Sequence, residues 1–223
     1  LQHDKKCGYE VLIRLLSPSG NIVPPGAFLP AAERYNLAAQ IDHWVIENTL
    51  QWMSENIDKL GHIDSLAINL SGQSLGDDAL LGYIIRSIEQ GLVPAQMIKF
   101  EITETAAIAN LKDAQIFIKS LKKLGCRFAL DDFGSGLSSL AYLKNLPVDL
   151  LKIDGMFVRD IIIDPIDEAM VRSINEIGHI MKMETIAEFV ENDLIMARLK
   201  HLGVDYAQGY AISRPEPIDS IIN

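Results

Sequence analysis

Several features are scarce in this sequence, and each scarcity removes a class of function. No apolar stretch approaches the roughly 18–20 uninterrupted residues that a membrane span requires. No basic segment followed by an apolar run stands at its start, so no secretory signal is expected within it and no contact with a membrane. Only two cysteines occur, Cys7 and Cys126, and they fit no CxxC or other metal spacing. Cys126 stands just before an apolar, strand-like run and reads as a buried thiol; together the two suggest a reducing, cytoplasmic setting. The histidines, His3, His43, His62, His179 and His201, are scattered without ligand spacing. Basic side chains are also few: 20 Lys and Arg face 30 Asp and Glu, a net charge of −10. Gripping a DNA or RNA polymer by its phosphates needs a basic surface, so no such polymer is an expected partner. Either the ligand is not an anion, or metal ions reverse the sign locally.

What is present fits one globular domain over residues 1–223. Hydrophobic residues make up 48% and charged residues 22%, the chain is long enough for a sizeable core, and no Pro/Gly/Ser-rich linker divides it. Its abrupt start reads as part of a longer, multidomain signalling protein. Short β-type runs recur at residues 9–15, 65–70, 98–103, 127–132, 150–153, 185–189 and 206–211. Amphipathic helical patterns lie between them at 41–56, 79–90, 111–124, 166–182 and 192–202; in the first, Ile41, Trp44, Val45 and Trp52 follow helical spacing. Strand then helix, repeated, predicts parallel βαβ units. Seven such strands nearly complete a TIM-like (β/α)8 barrel of the α/β class. An open doubly wound sheet is the alternative, but the Gly-rich phosphate turn it normally carries after its first strand is absent.

Polar groups interrupt or end these apolar strands. Asn69 follows AI, Glu101 divides IKFEIT, Asp131 and Asp132 end FALDD, Lys152 follows LL, Glu188 follows TIA and Gln208 lies in YAQGY. A buried, unpaired carboxylate costs several kcal/mol. One could be a structural ion pair; five at equivalent strand ends are hard to explain so. In a β/α barrel those ends converge on one mouth, where catalytic groups sit. Glu10, Glu101, Asp131, Asp132 and Glu188 would bring five negative charges there, which Lys152 alone offsets. Such a cluster repels itself or takes up protons unless cations fill it. Oxygen ligands with an Asn carbonyl, and no Cys or clustered His, suit Mg2+ or Mn2+. Asp131 and Asp132 could serve two neighbouring ions, since successive strand side chains diverge. Two such ions, roughly 3.5–4 Å apart, clamp the attacking and leaving oxygens of a phosphate ester. The residues alone thus point to a two-metal phosphoester hydrolase on a barrel.

Several motifs, in order, resemble the EAL domain family. The signature E-A-L-x-R stands as Glu10-Val11-Leu12-Ile13-Arg14, with Glu10, Leu12 and Arg14 on one face of a strand. INLSGQSL carries Asn69, FEITETA carries Glu101 and Glu104, and DDFGSGLSSLAYLKNLPVDLLKID carries Asp131, Asp132 and Lys152. TIAEFVEN holds Glu188 and AQGYAISRP holds Gln208. The resemblance implies a modified barrel with one antiparallel strand and hydrolysis of cyclic di-GMP to linear pGpG; the alternative is a catalytically silent member that binds cyclic di-GMP as a receptor, but such members usually lose metal ligands that this chain keeps. It implies Glu10, Asn69, Glu101 and Asp131 as ligands of one ion, and Asp131, Asp132 and Glu188 as ligands of a second, with Asp131 bridging. Lys152 and Glu188 would be catalytic, Lys152 holding the attacking water. Glu104 would brace the loop over residues 133–139, which in the family links the metal site to a dimer interface, so a homodimer is expected. Leu12, Arg14 and Gln208 would hold the substrate.

Three departures stand out. Val11 replaces Ala, Phe189 stands where many members have Gly, and the family's opening strand is missing, the chain beginning instead with LQHDKKC. Plainer readings remain beside these. Lys152 could be an ordinary barrel lysine paired with an acid, Glu104 a helix N-terminal acid, and Gly134 and Gly136 turn formers. The FGSG stretch lacks the Gly-Lys-Ser/Thr ending of a P-loop. Trp44 and Trp52 read as core, and Asp154 could be a metal group or, the simpler reading, a salt-bridge partner.

Overall fold

The computed structural model describes residues 7–135 and 140–222. The chain runs through β1 (Cys7–Val11), the hairpin strands β2 (Leu15–Leu16) and β3 (Ile22–Val23), and helices α1 (Pro25–Arg34) and α2 (Ala38–Asn56). There follow β4 (Ile63–Leu70), α3 (Asp78–Glu89), β5 (Ile98–Thr103), α4 (Glu104–Ala109), α5 (Leu111–Lys122), β6 (Arg127–Phe133) and β7 (Leu150–Ile153). Helices α6 (Gly155–Arg159) and α7 (Pro165–Ile180), then β8 (Glu184–Ala187), α8 (Asp193–Leu202) and β9 (Tyr206–Ala207) complete it.

Seven strands pair in the order β1-β4-β5-β6-β7-β8-β9, and every neighbouring pair is parallel. Chain order and spatial order agree because each crossover returns the chain to the next position in the sheet. The result is the TIM-like barrel sheet that the strand–helix alternation predicts. Its strands read as apolar runs because both faces are covered. Outward-facing Phe100 and Phe128, with ring centroids 5.4 Å apart, each meet Phe117 of α5 at 6.5 Å. Inward-facing Ala129, Leu150 and Ile186 form a small separate cluster with Tyr206, a plug below the mouth. At the base, Arg127 pairs with Glu184 and Asp64, and Tyr206 donates its hydroxyl to Glu184 at 2.9 Å. The inside of the barrel is therefore layered: charged base, apolar middle, charged mouth.

Several sequence expectations need correcting. The first strand ends at Val11 rather than residue 15, and residues 15–23 fold back as a hairpin. This hairpin is the one antiparallel pair among the described residues, and it lies outside the barrel sheet; the antiparallel barrel strand implied by the resemblance is not among those residues. Strands expected to reach 189 and 211 stop at Ala187 and Ala207. Phe189 has a left-handed φ of 52° and Gly209 a φ of 153°, and both turn the chain out of the extended path. Trp44 is not core: it is 57% exposed, on the outer side of α2 from Val45, Ile46, Leu50 and Met53. Trp52 packs partly against the core and donates its indole N–H to Asp219 at 2.7 Å. Cys126 is buried as expected, and Cys7 is exposed. Among the described residues no helix is long and apolar enough to cross a membrane.

Candidate metal centre at the barrel mouth

Strand register fixes the site. Inward positions alternate along each strand, and Asn69 pairs across the ladder with Glu101, as Thr103 does with Asp131. Glu10, Asn69, Glu101, Asp131 and Lys152 thus come from five adjacent strands, with Glu188 and Gln208 just past the ends of β8 and β9.

Lys152 stands at the centre, 1% exposed. Its Nζ lies 2.6 Å from Glu101 Oε2, 2.8 Å from Glu188 Oε1, 3.1 Å from Asp131 Oδ2 and 3.7 Å from Glu10 Oε2. The plain reading of Lys152 as an acid-paired lysine is correct as far as it goes, with four partners instead of one. Asn69 donates its amide to Glu10 Oε1 at 2.6 Å, and Gln208 donates to Glu10 Oε2 at 2.5 Å. This last bond ties the two edge strands of the sheet together at the mouth.

Asp131 and Asp132 do not simply diverge, as successive residues of a regular strand would. The β6–β7 register slips between Leu130 and Phe133, so that two aspartates face the single Lys152. Asp132 takes a left-handed φ of 54°, the mark of a β-bulge. The bulge keeps both carboxylates at the mouth, Asp131 buried and Asp132 exposed, and brings them with Glu188 within 4.8 Å of one another.

The electrostatics match this crowding. Burial pushes the Glu188 carboxyl up to about 7, against the pull of Lys152. Burial also raises Glu101 and Asp131, again opposed by Lys152, and raises Asp132 with help from Asp154. Burial acts the same way on Glu10, but Lys152, Gln208, Asn69 and Lys99 together outweigh it and hold that carboxyl below its ordinary value. Burial would discharge Lys152, yet Glu101, Asp131, Glu10 and Glu188 keep its ammonium well above the ordinary lysine range. Five carboxylates face two ammonium groups, Lys152 and Lys99, leaving a formal surplus of three negative charges. An all-oxygen set with surplus negative charge fits hard divalent cations, so these residues are suited to hold them.

The other predicted residues sit further out. Glu104 begins α4, as the plainer reading has it, but is buried, and its Oε2 accepts the Gly134 backbone N–H at 3.1 Å. It therefore holds the start of the 133–139 loop; residues 136–139 of that loop, with Gly136, lie outside the described residues. Leu12 is 41% exposed beyond the end of β1, and Arg14 is exposed, its guanidinium bonded to the carbonyl of its neighbour Ile13. Neither is drawn into the carboxylate cluster. Among the described residues Asp154 forms no salt bridge: it caps α6 by accepting the Met156 N–H at 2.8 Å. Phe189 bends its ring onto Gly155, where a Cβ would lie 2.0 Å from the ring, and Arg159 covers it at 4.2 Å from the centroid. Phe189 thus leans away from Glu188, which keeps its contact with Lys152. One residue escaped the sequence reading: Lys99, buried beside Glu101. The IKFEIT run placed it two residues before Glu101 and hence on the same face.

A family model described as EAL domain matches residues 1–215. The chain is 46% identical over 216 residues to cyclic di-GMP phosphodiesterase PdeB of Shewanella oneidensis, covering 97% of this chain and 25% of that protein. It is 40% identical to cyclic di-GMP phosphodiesterase PdeF of Escherichia coli, covering 96% of this chain and 29% of that protein. The chain therefore spans between a quarter and a third of these relatives. Among solved structures, the FimX EAL domain of Pseudomonas aeruginosa bound to c-di-GMP superposes with a TM-score of 0.88 at 34% identity, covering 96% of this chain and 86% of that one. The PaMucR phosphodiesterase in complex with c-di-GMP gives 0.87 at 32%, covering 95% and 86%.

Proposed function

Because the chain belongs to the EAL domain family, we propose that it is a single domain of a longer protein that hydrolyses cyclic di-GMP to linear pGpG with two Mg2+ or Mn2+ ions. The observation that carries this reading is the gathering of Asp131, Asp132 and Glu188 within 4.8 Å beside a lysine that also touches Glu10 and Glu101. Every ligand position implied by the sequence motifs is filled by an oxygen-bearing side chain and faces one mouth. Glu10, Asn69, Glu101 and Asp131 would hold one ion, and Asp131, Asp132 and Glu188 the other.

The cations, when bound, supply positive charge to the diester and acidify a water. Lys152 Nζ, which lies among the carboxylates, would hold that water and offset charge that develops as it adds to phosphorus and the P–O3′ bond breaks. Glu188, 2.8 Å from Lys152, would sit beside the same water and is the acid the proposal gives a catalytic role. Glu104, which accepts the Gly134 backbone N–H, would brace the segment that follows Phe133. Leu12, Arg14 and Gln208 would hold the nucleotide. A homodimer is part of the proposal: Met156 of α6, Ile162 and Ile163 of the turn after it and Ile166 of α7 expose apolar side chains, and two-fold dimers are the commonest soluble oligomers. Light scattering showing only monomer at high concentration would remove that part.

The deciding experiment incubates the domain with cyclic di-GMP and Mg2+ and separates the nucleotides by chromatography. Conversion to pGpG that stops in excess EDTA is expected. Turnover unchanged by EDTA would refute the metal chemistry. Tight binding with intact nucleotide after long incubation would instead identify a receptor.

A further inference from the structure

Lys99 is an ammonium inside the barrel, 9% exposed, one layer below the metal centre on the inward face of β5. Its Nζ lies 3.3 Å from Glu101 Oε1, while Glu101 Oε2 meets Lys152 at 2.6 Å. Each oxygen of one buried carboxylate is thus held by a different ammonium. The neighbour of Lys99 across the β5–β6 ladder is Arg127, which draws on Asp64 and Glu184 at the base. Those acids are committed to the arginine, and among the described residues the ion pair of Lys99 is with Glu101. A lysine used only to fill this space would be a poor choice, since apolar side chains of similar volume fill a barrel interior without desolvating a charge.

We propose that Lys99 is a built-in counter-ion of the metal centre, a positioning residue that holds Glu101 from below and weakens the grip of the Glu10–Asn69–Glu101–Asp131 set on a divalent cation. The inference rests on the reading that this set binds a cation. Two consequences follow from one fixed charge. Without metal, Lys99 neutralises part of the carboxylate cluster and lets the barrel close over it. With metal, that charge remains behind a ligating carboxylate and repels the incoming ion. Lys99 therefore trades cation affinity for stability of the cation-free domain.

Calorimetric titration of Mn2+ into the wild-type domain, Lys99→Met and Lys99→Ala, without nucleotide, tests this. Methionine keeps the stem that packs in the barrel, alanine does not, and neither carries the charge. Both variants should bind Mn2+ on the order of tenfold more tightly than wild type, and both should melt at lower temperature in EDTA. A role in packing alone would destabilise Lys99→Ala and leave Mn2+ affinity untouched. Affinities equal to or weaker than wild type in both variants would overturn the proposal while leaving the metal site intact. A wild-type domain that takes up no Mn2+ would sink the metal reading and this inference together.

Discussion

Replacing Lys152 with methionine keeps the stem and removes an ammonium that lies within 4 Å of four carboxylates. Glu101, 1% exposed, cannot turn to water when its partner is lost. Breaking a buried ion pair from one side costs about 3–5 kcal/mol. For a domain of this size that corresponds to a fall in Tm of about 6–20 °C in EDTA. The carboxylates can moderate the loss by taking up protons, and Mn2+ can moderate it by replacing the lysine as counter-charge. The gap in Tm between wild type and variant should therefore narrow when Mn2+ is added. Because Lys152 touches so many acids, destabilisation is expected whether or not it takes part in the reaction. Turnover per folded molecule is what separates the two roles. If Lys152 holds the attacking water, single-turnover kcat falls by on the order of 10²–10³ with KM nearly unchanged. Scanning calorimetry and quench-flow on the same preparation give both quantities. Equal melting temperatures in EDTA would refute the counter-ion argument, and near wild-type turnover in the destabilised variant would remove Lys152 from the chemistry.

Asp131→Asn should weaken Mn2+ binding more than Asp132→Asn, because Asp131 is buried, bonded to Lys152 and assigned to both ions while Asp132 is exposed and assigned to one; equal affinities by calorimetry would count against a bridging Asp131. Gly155→Ala should destabilise the domain, since its Cβ would overlap the Phe189 ring, and Phe189→Gly should largely rescue it, a coupling that a double-mutant cycle in urea reads directly. At the same position Phe189→Ala should be less stable than Phe189→Gly by about 1 kcal/mol, because only glycine adopts a φ of 52° freely. Burial pushes the Cys126 thiol up to about 12, whereas Cys7 is exposed; a thiol reagent should label one cysteine in the native domain and two after denaturation.

Much of the site was legible in the sequence because strand periodicity is two. Once Glu101 is placed inward in IKFEIT, Lys99 and Thr103 must share its face, and the apolar residues between them must point to the helices. The same logic placed Asn69, Asp131 and Lys152 at strand ends. It failed where the backbone leaves the extended path: at Phe189 and Gly209, which end the last two strands early, and at Asp132, whose left-handed conformation makes a bulge from what reads as a plain strand end. Those conformations depend on neighbours that are far away in the chain. The backbone at Phe189 is usable because Gly155 leaves room for its ring. Trp44 misled for a similar reason, since helical spacing gives a face but not which of two adjacent residues the sheet covers.

By itself, then, the sequence determined the parallel strand–helix architecture, the oxygen-bearing side chains at the strand ends and their acidic surplus, because these follow from residue type and short-range periodicity. Only the tertiary structure decided which acids meet. The convergence of four carboxylates on Lys152, the bulge that turns Asp131 and Asp132 to one mouth, the Gln208–Glu10 bond between the sheet edges and the second ammonium at Lys99 all join residues up to 198 positions apart. Charge–charge energy depends on separation in space, and sequence spacing does not fix that separation until the sheet has closed.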